Sequence, residues 1–97
     1  MSTVVERRDL AAVATEIVQH LRAVRERLAG EIRNYPTPIP RCDAQFNHLY
    51  EQLGRLSREL DRIEPTRESI ERFIASPPYT DDAAERDFRA RVKAGLG

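Results

Sequence analysis

"CDAQFNHLYEQLGRLSRELDRI", residues Cys42 to Ile63, decides the fold of this chain. Cys42, Phe46, Leu49, Leu53, Leu56, Leu60 and Ile63 recur in steps of four, three, four, three, four and three. On a helix that spacing gathers all of them on one stripe. Nothing here alternates with the period of two that a strand needs. Asp43 stands where exposed amides and the helix dipole favour a negative charge, and Pro65 stops the helix just beyond Ile63. The spacing predicts a helix over 42–63, about 33 Å long.

The same phase occupies the N-terminal third. Leu10, Ala14, Ile17, Leu21, Val24 and Leu28 again step by four and three, and Val13, Val18 and Ile32 widen the stripe. Thr3-Val4-Val5-Glu6 has the form of a capping box. A helix is predicted over about 4–33, ending before Pro36, because the residue ahead of a proline is pushed out of the helical region. The proline-rich turn 34–41 is short, so the two long helices should be antiparallel neighbours. Folding the chain about residue 38 sets Leu28 beside His48 and Leu49, Val24 beside Leu53, Leu21 beside Leu56 and Ile17 beside Leu60. Two stripes read independently then meet along their shared length.

Two short helices should follow. Thr66 is placed to cap one over about 66–75, carrying Ile70, Phe73 and Ile74 and ended by Ser76-Pro77-Pro78. Thr80 is placed to cap another over about 81–94, with Ala84, Phe88 and Val92 as its apolar stripe and Gly95 as its stop. The expected fold class is all-α: a long antiparallel helical hairpin followed by two short C-terminal helices, bundle-like, in a single domain 1–97.

Composition agrees with this picture. At 97 residues the chain is one domain with a small core. Aromatics are 6% and Trp is absent, so the core must be built from Leu, Ile, Val and Ala. Sixteen basic and sixteen acidic side chains cancel, which argues against a general attraction to nucleic acid or anionic membrane. One Cys excludes an intrachain disulfide and a multi-cysteine metal site. A free thiol suits a reducing compartment, so the expected location is cytoplasmic. No stretch approaches the ~20 apolar residues of a membrane span. Arg7-Arg8 is followed by Asp9 and too short an apolar run for a secretory signal, so a mature soluble protein is expected.

Candidate chemistry crowds around the prolines. Cys42 and His48 are six apart, which separates them by about 240° around a helix and about 9 Å along it. Metal pairs on helices sit three or four apart. His20 falls near Leu56, about 12 Å along the hairpin from His48. The three do not converge, and no catalytic, cofactor or metal residue is expected. Cys42 reads as packing, His48 as a polar flank, and His20 as a half-buried imidazole at the edge of a stripe. Pro36, Pro38 and Pro40 stiffen the connector, and Tyr35, Ile39 and Phe46 are placed to cover the hairpin's open end. Tyr35, Pro36, Pro38, Ile39 and Pro40 form a candidate partner-binding loop, since rigid exposed loops carry recognition. The glycines are scattered, so there is no phosphate loop. Glu51 with Arg55, Arg55 with Glu59, Glu68 with Arg72 and Glu85 with Arg89 are four apart and read as solvated pairs.

The expected function is that of a non-enzymatic helical protein–protein interaction or assembly module. Its motive is a mismatch: the first helix outruns the second by about 12 Å, leaving apolar residues there to be covered. The C-terminal helices or a second copy must supply that cover. Leu10, Val13 and Ile17 are the candidate self-association face, and a homodimer is the expected assembly. The alternative is a small nucleic-acid-binding regulator using arginines of the first or last helix. Against it, no helix-turn-helix pair is recognisable, and no aromatics interleave with Arg22, Arg25, Arg27 and Arg33 to stack on bases.

Overall fold

A computed structural model describes residues 9–37 and 43–96 of the chain. These residues form four helices and no strand: α1 (Leu10–Arg33), α2 (Ala44–Arg62), α3 (Arg67–Ala75) and α4 (Ala83–Gly95). The chain is all-α and bundle-like, as the periodicity requires. α1 and α2 share the most extensive contact and run antiparallel. Val18 shares a cleft with Ile63, and Gly30 with Leu49, so facing positions have numbers summing to about 80, about one turn on from the 76 that a fold about residue 38 gives.

Four side chains start the four helices. Asp9, Asp43, Thr66 and Asp82 each adopt extended backbone, and each side-chain oxygen accepts from an amide of the first turn. One of these caps differs from expectation. The expected capping box at Thr3–Glu6 lies outside the described residues; the described helix begins at Leu10, where the Asp9 carboxylate takes the Ala11 amide at 3.0 Å. The last helix is capped by Asp82 rather than Thr80. Asp82 Oδ1 takes the Glu85 amide at 2.9 Å, and the Thr80 hydroxyl donates to the same oxygen. A carboxylate is the stronger acceptor, and Thr80 steadies it.

The core is displaced from the hairpin seam toward one broad face. Ile17, Leu21, Val24 and Leu28 are buried together with Leu49, Leu56, Ile70, Phe73, Tyr79, Phe88 and Val92. α3 and α4 lie on that face and draw the buried stripe of α2 round to it. Leu53 and Leu60, expected at mid-seam, are only half-buried, and Glu59 is buried instead. The same packing corrects the candidate self-association face. Val13 and Ile17 have no exposed surface within a single chain, and Leu10 packs half-buried against the same core. The C-terminal helices supply the cover that the overhang of α1 demanded.

Candidate functional site

The densest polar constellation centres on Glu85, in the first turn of α4. Its side chain is 1% exposed. His20 Nε2 lies 2.6 Å from Glu85 Oε1. The Tyr79 amide and Arg89 Nε both donate to Oε2 at 3.0 Å. An ionised carboxylate only accepts, so Nε2 of His20 carries the proton of that bond. The imidazole stacks on Phe88 with ring centres 4.0 Å apart, and Phe88 meets Phe73 edge-on. Arg89 spans outward from Glu85. Its Nη1 donates to the carbonyls of Phe73, Ile74 and Ser76, and its Nη2 to that of Pro77. One guanidinium thus satisfies the open carbonyls at the end of α3 while being held by α4.

Burial works to raise the Glu85 carboxyl, but the bonds from His20, the Tyr79 amide and Arg89 outweigh it and hold the group down at about 2. Asp82 lies below the usual carboxylate range because the Glu85 amide and Arg27 donate to it. Burial pushes the Tyr79 hydroxyl up, with Arg55 above the ring at 3.9 Å working against that shift. Two atoms in this layer are buried without a hydrogen-bond partner among the described residues: the Tyr79 hydroxyl and Oε2 of Glu59.

Beside His20 opens a cleft of about 470 Å³ lined by Glu16, Gln19, His20, Phe88, Arg91 and Val92. A histidine oriented by a buried carboxylate is the positioning half of an acid–base site. Among the described residues, no Ser, Thr or Cys lines the cleft. Among the described residues no cluster of three His, Cys, Asp or Glu is arranged to hold a metal ion, and no helix is long and apolar enough to cross a membrane. The geometry is that of a clamp: it fastens α4 to α1 through His20, to the end of α3 through Arg89, and to the preceding loop through Tyr79.

Glu85 with Arg89 was expected as a solvated pair; both are buried. The signal was in the spacing, because Glu85, Phe88 and Val92 step by three and four and so share one stripe. His20 is half-buried as expected, but its partner 65 residues away is invisible to local pattern. His48 is exposed and far from this cluster in the chain's register. Cys42, Pro38, Ile39 and Pro40 lie outside the described residues. Of the candidate loop, Pro36 is exposed and Tyr35 is tied down. The Tyr35 hydroxyl donates to both Asp43 oxygens at 2.7 and 2.8 Å, and its ring lies 5.1 Å from that of Phe46. Asp43 is lowered by the Phe46 amide first and by Tyr35 second. Tyr35 and Phe46 do pack at the end of the hairpin. Of the arginines, Arg89 is spent in the clamp and Arg27 pairs with Asp82.

The face of the hairpin opposite α3 and α4 has a different character. Successive α-helical positions turn by about 100°, which lines Ala11, Val18 and Ala29 of α1 along this side, and Phe46, Tyr50 and, nearer the seam, Leu53 of α2 beside them, while Ile32 and Leu60 pack against the core. A groove of about 330 Å³ runs between Ala11, Ala14, Thr15 and Val18 on one side and Ile63 and Pro65 on the other, with no residue of α3 or α4 in its lining. Tyr50 is 56% exposed and meets Phe46 edge-on at 5.0 Å.

Comparison of the chain with protein-family models, curated proteins and solved structures returns no match.

Proposed function

We propose that this chain is a non-enzymatic helical interaction module that docks a protein surface through the open face of the α1–α2 hairpin. One observation carries the reading. Tyr50, the exposed large hydrophobic among the described residues, stands in line with half-buried Phe46 and Leu53 on a face that α3 and α4 leave uncovered. Apolar side chains aligned on one side of a two-helix layer lose water when a second layer arrives, at about 25 cal/mol per Å². The clamp supports the same reading from the other side. Its polar groups are consumed in joining helices, which leaves them fastening the scaffold rather than meeting a substrate.

The test is site-specific photo-crosslinking in cells. A photoreactive residue at Tyr50 should yield protein adducts, and the same residue at Ala90, exposed on α4, should yield none. Equal yields at both positions, or none at Tyr50, would remove the docking face.

A further inference from the structure

We propose that His20 presents a binding site for a divalent transition-metal ion of the zinc class, held by its Nδ1 and by the carboxylate of Glu16 in the cleft beside α4. That cleft is lined by α4 and is separate from the open hairpin face, so the site stands or falls independently of the docking reading.

The clamp spends only one of the two ring nitrogens. Nε2 donates to Glu85 Oε1 at 2.6 Å, and the Glu85 side chain is 1% exposed. A neutral imidazole carries one ring proton, so fixing it on Nε2 leaves a lone pair on Nδ1. Nδ1 has no hydrogen bond among the described residues, and it is not one of the buried atoms that lack a partner, so it reaches the surface. The surface it meets is the cleft of about 470 Å³ that His20 helps to line. Stacking on Phe88, with ring centres 4.0 Å apart, holds the ring in that orientation. A carboxylate on one ring nitrogen, with the other nitrogen bare, is the arrangement that fixes the tautomer of metal-binding histidines and raises their basicity.

The second donor follows from spacing. Glu16 lines the same cleft, is exposed, and precedes His20 by four residues. Their Cβ atoms then stand about 5–6 Å apart on one face of α1, the spacing of the paired ligands in helical zinc motifs. Glu16 and Arg91 are the charged side chains of the cleft lining, and their charges cancel; Arg91 lies over the Phe88 ring at 5.8 Å. The cleft therefore offers little net field to draw a hard cation, and the affinity comes from the imidazole lone pair. That selects ions of the zinc and nickel class over magnesium and calcium, which want oxygen ligands throughout. Two protein ligands leave the remaining positions to water, which makes this an open, exchanging site rather than a structural centre.

Zinc chloride titrated into the whole chain near neutral pH, followed by the imidazole signals in long-range proton–nitrogen spectra, tests this. Before zinc is added, His20 should show the tautomer protonated on Nε2. Zinc should then shift Nδ1 of His20 before it shifts the ring of His48, and magnesium at the same concentration should move neither. The signals belong to single residues, so zinc taken up by Cys42 does not enter the result. Glu16→Gln, at an exposed position, should keep the circular dichroism and melting temperature of the parent. It should weaken zinc at His20 at least about tenfold, since even partners that touch only a ligand are worth that much. A proton on Nδ1 in the metal-free chain, or a zinc shift at His48 without one at His20, would overturn the site. So would an affinity unchanged in Glu16→Gln, or a magnesium shift equal to that of zinc.

Discussion

At Glu85 a carboxylate that would cost several kcal/mol to bury alone is matched by three donors from three parts of the chain. Its folded value of about 2 lies below the ordinary 4.5. A depressed carboxyl contributes stability that is fully present above about 4.5 and is lost as pH falls toward 2. The contribution is on the order of 3 kcal/mol. Urea unfolding of the parent should therefore show the midpoint falling steeply between pH 5 and pH 3 (roughly the window in which the unfolded group takes up its proton). Glu85→Gln should be less stable at neutral pH and lose much of that slope; an unchanged slope would move the acid sensitivity elsewhere, Asp43 and Asp82 being the other lowered carboxyls. Tyr79 is the opposite case. Its hydroxyl is buried without a partner among the described residues while its ring packs under Arg55. Tyr79→Phe keeps the ring and removes the orphan, so stability should hold or rise by about 1 kcal/mol. A loss of more than about 1 kcal/mol in chemical denaturation would reveal a bond that the hydroxyl makes.

Between elements, the position of α3 and α4 decides which leucines matter. Leu56 has no exposed surface, whereas Leu53 is half-buried on the open side. Leu56→Ala should cost about 2–5 kcal/mol and Leu53→Ala clearly less. Equal losses by calorimetry would put the core back on the hairpin seam. This contrast also marks where sequence reasoning stopped. The stripes of Leu and Ile give the hairpin, its antiparallel pairing and the stop at Pro65, because helical period is local, while the exact register slips by about one turn. Thr66 as a cap was legible for the same reason. The side on which two short helices settle is not local: it depends on Glu85 finding His20 and on Arg89 finding the carbonyls after Phe73. Without that knowledge Leu53 looks central, Val13 and Ile17 look uncovered, and a buried ion pair looks like any solvated pair four apart.

As a whole the molecule is a two-helix layer with one face closed and one open. The closed face joins Val13, Ile17, Leu56, Phe73 and Phe88 under a polar clamp. The open face carries Val18, Tyr50 and Leu53 beside Arg22, Arg25 and Asp61, for which no ion pair or hydrogen bond is seen among the described residues. Burial among the described residues has used one face, and association is a way to cover the other. The most direct measurement is a dilution series followed by amide chemical shifts. With rising concentration, shifts should move for Ala11, Val18, Arg22, Ala29, Tyr50, Ser57 and Asp61, and stay fixed for the exposed positions Ala84, Asp87 and Ala90 of α4. Movement confined to α4 would contradict the assignment of the open face, and no movement at any concentration would exclude a second copy as its occupant.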